Sequence, residues 1–541
     1  RMTLTKKDRG MPPIDTDLDM RWGSFLANGP WQLDEEECKQ FSQDNILRRS
    51  VVSAQAHELL RSRRVPPIFR LIYSLSRISS AVVLWYLFDK RRGREKSRRG
   101  LSRKLRKRFV TLGSTYIKLG QIISSGEGLF PEQLVSEFKL LRDQVPAETF
   151  LDVKRVIEED FSRPLESIFS SFDQEPLAAA SIAQVHRATL VTGEEVVVKV
   201  QRPHVAELVR KDIAALTWLS PRLVGRIPIT ALANPPALVE MFAETIVEEL
   251  DFRLEADNML AIGRVLATTN QRAIVVPRPR IDLVTKRVLV MERMHGFAFH
   301  DVEAMKSEGI DTKVLLRAGL VAFTEGALIH GVFHGDLHAG NLFVDEDGTT
   351  ALLDFGITGR FDEKQRRAFL RLLVGGTTGN IRQQIISLRD LGAFPSDTDI
   401  DAVIEDLGLD GPVKDPTKMT SEQLTREMSD LTKKLLGYGA RAPKELMLFV
   451  KNLMFLDGAT ATLAPDLDIL AEIQHVYLYF LQTYGTQIMG DLGFGSEELD
   501  LDMDAVRSSL GVADKVDSLT YEDIRKRREI IKKRMMDKGE Q

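Results

Sequence analysis

Apolar positions along the chain change rhythm several times, and each change predicts an element. Between Ile46 and Arg61 they recur at helical spacing, predicting one helix inside an otherwise variable leader over residues 1–100. Residues 101–170 keep the helical period, broken at Gly126–Gly128 and at Pro146. Past Phe172 the rhythm shortens to that of strands. Ala183–Leu190 (AQVHRATL) and Glu194–Arg202 (EEVVVKVQR) flank the turn VTGE and read as a hairpin. A long helical pattern runs from about Pro236 to Ala267, after which Ala273–Ile281 and Arg287–Met294 again read as strands. From about Ala304 the pattern is mostly helical, interrupted by short strands around Asn341–Asp354. Gly411–Gln423 is a loop or linker by its Pro, Gly and polar content. No internal repeat is visible.

Composition narrows the class of protein. At 541 residues the chain is too long for one compact core, so two to four units are expected. Its 43% hydrophobic and 28% charged residues are those of a globular protein, and a net charge of −4 argues against nucleic acid as a partner. Cys38 is the single cysteine, so no intrachain disulfide can form, which suits a reducing compartment. The N-terminal stretch is polar with no apolar centre, so no signal peptide is expected. No uninterrupted apolar run reaches the roughly 18 residues of a membrane span. The nearest candidate is Arg70–Phe88, whose clean apolar part is Ala81–Phe88 and includes Trp85 and Tyr86. Directly after it, Asp89–Arg108 carries twelve Lys or Arg against two acids. A basic block beside an apolar segment favours an anionic lipid surface, by roughly 1 kcal/mol per basic residue near it. The alternatives are a buried helix followed by a solvated linker, or a nucleic-acid patch. A second basic segment, Ile524–Met536, reads as an interfacial or partner-binding helix, or equally as a solvated terminal one.

The chemistry concentrates in HGDLHAGN, residues 334–341, and in LLDFG ending at Gly356. Phosphoryl transfer needs an orienting carboxylate, oxygen ligands for magnesium and a cation on the phosphates. Asp336 suits the first role, and Asn341 and Asp354 supply hard oxygens for Mg2+. Gly356 lets the backbone turn after the metal ligand. His334 is expected to be structural, and the role of His338 is open. The phosphate cation belongs on an upstream strand, and Lys199, after a run of valines, fits. Its partner belongs on a helix. Glu244, Glu248, Asp251 and Glu255 form a stripe at i, i+4, i+7 and i+11, and Glu255 is the first choice. The loop over the phosphates holds Ala178, Ala179, Ala180 and Ser181 in place of glycines, so it is expected to grip nucleotide more stiffly. Val290–Met294 is the expected adenine hinge, with Glu292 and Met294 against the nucleotide. Strands first and helices second predict an α+β, bilobal protein-kinase-like fold, with an N-terminal helical extension and a helix-rich C-lobe. The units are then residues 101–170 as the extension, 171–295 as the N-lobe with a long helical insertion, 296–495 as the C-lobe and 496–541 as a basic tail.

The ordered set YIKLGQ, PLAAASIAQVHRA, VVVKVQRP, EELDFRLEADN, FHGDLHAGN and LLDFG resembles the UbiB/ADCK (AarF-type) atypical kinase family, over about Arg108 to Leu470. The resemblance implies that a helix carrying Lys-x-Gly-Gln folds over the cleft and bars protein substrates. Lys118, Gly120 and Gln121 match it here. Glu249 and Asp251 match the pair expected to meet that helix, and Glu255 matches the partner of the strand lysine. It also implies Mg-ATP binding, ATPase rather than ordinary protein kinase activity, and a part in prenyl-lipid or quinone metabolism at membranes. Two departures stand out. Many relatives carry Arg-Pro after the Gln121 motif, where this chain has Gly126–Glu127–Gly128. The C-terminal HVYLYFLQTYGTQIMGDLGFG is too interrupted to form an anchor.

Residue spacing supports the barred cleft independently. Lys118 and Gln121 share a helix face, and Gly120 costs about 1 kcal/mol of helix stability, which close backbone approach would explain. No Ala-Pro-Glu segment follows Gly356, so the usual platform for peptide substrates is absent. The expected function is an atypical kinase or ATPase that hydrolyses ATP or phosphorylates a lipid-like molecule. Its expected partners are ATP, a lipid or isoprenoid-like ligand, an anionic membrane surface, and lipid-biosynthesis or membrane proteins. The expected location is cytoplasmic with peripheral membrane association. Two alternatives are a non-catalytic ATP-gated scaffold that presents lipids, and a soluble small-molecule phosphotransferase.

Overall fold

The computed structural model describes residues 29–61, 67–91, 93–124, 131–141, 146–223, 235–269, 273–409, scattered positions between 410 and 442, then 443–493, 501–510, 512 and 516–536. The expected break at Gly126–Gly128, the first 28 residues, and most of the Gly411–Gln423 loop lie outside the described residues.

Among the described residues, five helices come first: α1 (Glu35–Leu59), α2 (Ile68–Phe88), α3 (Arg94–Leu112), α4 (Ser114–Ser124) and α5 (Glu132–Lys139). The leader therefore holds a longer helix than the Ile46–Arg61 segment its pattern predicts. Asp34 caps α1 through a bond from the Glu37 N–H, and three acids fill the first turn, so the start is set by capping rather than by apolar period. α6 (Phe150–Phe161) then leads into the N-lobe sheet.

The sheet is built from β1 (Phe169–Phe172), β2 (Ala178–Ala179), β3 (Ala183–Leu190), β4 (Glu195–Gln201) and, after a helical insertion, β6 (Pro279–Val284) and β7 (Val288–Glu292). Its order is β1-β3-β4-β7-β6, antiparallel throughout, with β2 paired to β3. Period-two alternation divides β4 into two faces. Val196, Val198 and Val200 pack into a core with Ile157, Leu190, Val288 and Val290. Val197 and Lys199 therefore face the opposite way, into the cleft. A one-residue slip in register would bury the lysine and empty the core.

The insertion holds α7 (Val205–Leu223), α8 (Pro235–Glu249) and α9 (Phe252–Thr268). The long helix expected over Pro236–Ala267 is thus two helices. The chain breaks at Leu250–Asp251, where Asp251 adopts an extended backbone and caps α9 by accepting from the Arg253 N–H. Glu244, Glu248, Asp251 and Glu255 consequently do not form one stripe. Glu255 sits on a different helix and faces the sheet.

The remaining elements are β5 (Ile274–Val275), β8 (Phe297–Ala298), α10 (Val302–Ser307), α11 (Thr312–Glu325), β9 (Val332–His334), β10 (Leu342–Val344), β11 (Thr350–Leu352), β12 (Thr358–Arg360), α12 (Glu363–Thr377), α13 (Ile381–Asp390), α14 (Ile400–Leu407), α15 (Lys444–Leu463), α16 (Ile469–Leu492), α17 (Met503–Ser509) and α18 (Tyr521–Met536). The architecture is a bilobal, kinase-like α+β fold: a twisted antiparallel sheet with α9 above, and a helical lobe below with short strand pairs. The C-lobe core is aromatic. Phe449 of α15 stacks on Phe323 at 4.9 Å and meets Phe333 and Phe369 edge-on. This cluster seats α15 directly beneath the strand that leads into residues 334–341. The interrupted C-terminal apolar segment forms α16, which packs in this lobe through Phe480, Ile488 and Leu492.

Among the described residues, two helices, α2 and α15, are long and apolar enough to cross a membrane by length and composition. Their surroundings differ. α15 is packed on the aromatic core. α2 is fixed along one side only, where Arg70 bonds the buried Asp212 and the Leu112 carbonyl. Phe69, Ile72, Val83, Tyr86, Leu87 and Phe88 remain exposed on its other side.

Candidate functional site

The expected phosphotransfer residues converge on one cleft of about 810 Å³ between the lobes. Lys199 lies at the back of it. Its ammonium donates to Glu255 Oε1 and Oε2 at 2.7 and 2.9 Å, and to Asp354 Oδ1 at 3.1 Å. Lys199 and Glu255 are both buried. Burial pushes the Glu255 carboxyl up, with the Lys199 ammonium opposing it. Burial pulls the Lys199 ammonium down, but Asp354 and Glu255 outweigh it and raise it. The pair holds α9 against β4, which places the lysine where it can reach phosphates.

Asp354 follows β11 and takes a left-handed backbone, φ +56°, a conformation that Asp tolerates better than most residues. The sharp turn expected at this point is therefore made by Asp354 itself. Gly356 has no positive φ, and its role is space: a Cβ there would lie 3.3 Å from Asp354 Oδ1 and 3.4 Å from Glu249 Cγ. Asp354 stays 46% exposed toward the cleft. Lys199 and Lys118 hold its carboxyl well below the usual range, against the opposing effect of desolvation. Asn341 donates through Nδ2 to the Asp336 carbonyl at 3.1 Å, which leaves its Oδ1 to a metal. Among the described residues, no group of three His, Cys, Asp or Glu side chains forms a ready cage. Two hard oxygens fit Mg2+, which binds through one or two protein oxygens completed by phosphates and water. Lys118, Lys199 and Lys451 face Glu249, Glu255, Asp336 and Asp354 across this cleft.

Asp336 carries the loop. Desolvation pushes its carboxyl up, but Lys451, His338 and Lys118 overcome this and hold it far below the ordinary range. His334 is buried and structural, as expected: its Nδ1 accepts from the Asp336 N–H at 3.2 Å and its Nε2 lies 3.1 Å from the Leu353 carbonyl. His338 Nδ1 accepts from the Gly340 N–H, and its Nε2 stands 3.9 Å from Asp336 Oδ2.

The Ala178–Ser181 loop is an extended ribbon rather than a glycine turn. Ala178 pairs with Val185 and Ala179 with Gln184, and none of the four has a positive φ. Ala178 and Ala180 are exposed at the cleft mouth, while Ser181 is buried. Arg202, itself buried, ties the loop down by donating to the Ala180 carbonyl at 3.0 Å while pairing with Glu148 at 2.6 Å. In the hinge, Met294 lines the cleft. The Glu292 side chain is taken up by Arg278, whose backbone N–H donates to it at 3.1 Å, and the Glu292 N–H donates in turn to the Arg278 carbonyl at 2.8 Å.

The Lys-x-Gly-Gln residues divide between two faces. Lys118 and Gln121 project into the cleft, and Lys118 pairs with the buried Glu249 at 2.7 Å. Gly120 points the other way. A Cβ there would come within 2.3 Å of Leu141 Cδ1 and 3.3 Å of Phe109 and Phe138, so the close approach it permits is to α3 and α5, not to the cleft. Asp251 also departs from expectation. Its carboxylate is held by Arg253 at 2.6 and 2.8 Å and caps α9, so Glu249 alone of the pair meets the Lys118 helix. A residue that breaks a helix must satisfy the freed N–H groups, and Asp251 does this locally.

Sequence reasoning missed three residues at this site. Asn258, inside the quoted EADN, donates to the Phe355 carbonyl at 2.9 Å and accepts from Arg49 of α1 at 2.7 Å and Arg360 at 2.9 Å. Lys451 bonds Asp336 Oδ1. Asn452 accepts from the Leu337 N–H at 2.9 Å and donates to the His334 carbonyl. These contacts span from 97 to more than 200 residues of chain, so no local pattern announces them.

Residues 140–386 match the model of the ABC1 atypical kinase-like domain. An uncharacterised protein of Mycobacterium tuberculosis is 36% identical over 374 residues, 68% of this chain and 75% of that one. A chloroplastic aarF domain-containing protein kinase of Arabidopsis thaliana is 33% identical over 395 residues, 68% of this chain and 73% of that one. A protein of Aliivibrio fischeri carrying the name "Probable protein kinase UbiB" is 29% identical over 402 residues, 73% of this chain and 72% of that one. With Lys199, Glu255, Asp336, Asn341 and Asp354 in one cleft under the Lys118 helix, the chain belongs to the ABC1 atypical kinase-like family, the family of the UbiB and aarF-domain kinases.

Proposed function

We propose that this protein binds Mg-ATP in the interlobe cleft and transfers its γ-phosphoryl group to water or to a lipid-like acceptor, at a membrane surface. The carrying observation is the convergence of three chemistries in one cavity: the Lys199–Glu255 pair, the Asn341 and Asp354 oxygens, and the ionised Asp336. Lys199 holds the α/β-phosphates and Glu255 keeps it in place. Asn341 and Asp354 would hold magnesium, which would supply positive charge against the phosphates. Asp336 orients the nucleophile and accepts its proton. Met294 and the backbone of Glu292 meet adenine, and the Ala178–Ser181 ribbon covers the phosphates.

Two features favour a small or lipid acceptor over a polypeptide. Lys118 and Gln121 occupy the mouth of the cleft. Beyond Gly356 the chain enters α12 at Glu363, leaving little room for a peptide platform. The membrane part of the reading rests on α2, whose apolar outer side adjoins α3 with its nine Lys and Arg. Aromatic and aliphatic side chains beside a basic helix suit the headgroup region of an anionic bilayer. Prenyl-lipid or quinone metabolism is the setting that the UbiB kinship suggests.

The test is Mg2+-dependent ATP hydrolysis by the purified protein, with and without anionic liposomes, comparing wild type with Asp354→Asn. Turnover that rises with liposomes and collapses in the variant is the expected result. Tight ATP binding without turnover under any lipid condition would overturn transfer and leave an ATP-gated scaffold.

A further inference from the structure

One cation in the cleft belongs to none of the recognised motifs. Lys451 comes from α15, 115 residues beyond Asp336, and its ammonium bonds Asp336 Oδ1. The other carboxylate oxygen is differently placed. His338 Nε2 stands 3.9 Å from Oδ2, outside hydrogen-bond range. The carboxylate is therefore hydrogen-bonded through Oδ1, while at Oδ2 the described residues bring the His338 ring to ion-pair distance only.

The grip has a rigid base. Asn452, the next residue, is wholly buried and bonds both His334 and Leu337, the residues on either side of Gly335–Asp336. Phe449 and Leu456 anchor the same face of α15 in the core. The height and rotation of the helix are thus set against the loop, and with them the point where Lys451 emerges. Lys451 also stands where the nucleotide cleft meets a second groove, which runs along α15 past Met454 and Gly458. That junction is where an acceptor would approach a bound phosphate.

We propose that Lys451 is a positioning residue for phosphoryl transfer, holding Asp336 by Oδ1 so that Oδ2 faces the acceptor hydroxyl or water. This inference rests on the Mg-ATP reading above. In the transfer, the acceptor oxygen forms a bond to the γ-phosphorus as the bond from that phosphorus to the β–γ bridging oxygen breaks. The electron pair leaves with ADP, and the acceptor proton passes to Asp336 Oδ2. Without the lysine the carboxylate is free to rotate, and only its alignment is lost. Lys199 and the hinge are untouched, so the effect falls on kcat and not on the KM for ATP.

The experiment compares full-length wild type, Lys451→Met and Lys451→Arg in kcat, KM for ATP and melting temperature. The Met variant is expected to lose about 10- to 100-fold in kcat, short of the range for losing an acid–base group outright. Its KM should stay within about threefold and its melting temperature within a few degrees, and Arg should restore a substantial part of the rate. Lys451→Gln carries the same comparison if the Met variant does not fold. A kcat within twofold of wild type overturns the proposal, as does a loss that tracks melting temperature and is not rescued by Arg. A rise in KM without a fall in kcat overturns it too, making Lys451 a nucleotide-binding group. If wild type shows no turnover sensitive to Asp354→Asn, the Mg-ATP reading falls, and this proposal with it.

Discussion

Glu325 is a carboxylate with no access to water. Its Oε1 accepts from the Tyr479 and Tyr484 hydroxyls at 2.6 and 2.8 Å, while its Oε2 has no hydrogen-bond partner among the described residues. Burial pushes its pKa up to about 7 despite the two tyrosines. Between its ordinary value and 7 the native protein holds a proton that the unfolded chain has lost, so stability falls as pH rises through that window. Glu325→Gln keeps the acceptor and removes the charge. Denaturant melts at pH 6 and pH 8 should show a wild-type decline that the variant lacks, with the variant the more stable at pH 8 by about 1–3 kcal/mol. Gly120 makes a second residue-scale case. Alanine would gain about 1 kcal/mol of helix propensity. It would also drive a methyl into the fully buried Leu141, and overpacking of this kind costs about 1–3 kcal/mol. Packing wins, so Gly120→Ala should lower the melting temperature. The glycine is plain in the sequence and so is its cost to the helix. What it faces was not legible, because Leu141 and Phe109 reach it only through the fold.

Helix α9 shows how an element is held from several directions. Lys199 fixes Glu255 from the sheet, and Gln201 Nε2 donates to the Leu250 carbonyl at its start. Arg49 of α1 bonds Asp257 and Asn258, and Asn258 reaches the Phe355 carbonyl beside Asp354. The leader helix thus braces the interlobe cleft. Arg49→Ala should speed amide hydrogen exchange across Phe252–Thr268 and reduce ATP turnover by about 3- to 10-fold, because the Lys199–Glu255 pair depends on where α9 sits. Helix α15 has its own test. Asn452→Ala leaves the His334 carbonyl and the Leu337 N–H without this partner, and about 2–3 kcal/mol of stability should go with it. Strands and long helices were readable from period alone. The break between α8 and α9 was not, since Asp251 reads as one more acid in a stripe until its capping geometry is seen.

At the scale of the molecule, the apolar side of α2 and the basic α3 form one surface, joined inward through Arg70 and Asp212. If that surface meets lipid, Phe69→Asp with Leu87→Asp should abolish co-sedimentation with anionic vesicles and leave ATPase activity in solution unchanged, since both side chains are exposed and remote from the cleft residues. Liposome stimulation should vanish in the same variant. The sequence by itself determined the kinase-like class, the strand carrying Lys199, and the identity of Asp336, Asn341 and Asp354. Those properties are local: alternation, turn residues and short spacings reflect forces that act within a few residues of one another. Tertiary structure alone decided that Glu249 rather than Asp251 meets Lys118, that Gly120 serves a helix interface, and that α15 brings a lysine to Asp336. Each of those outcomes is a contact between distant parts of the chain, chosen by which faces the hydrophobic core leaves pointing inward, and no pattern along the sequence encodes it.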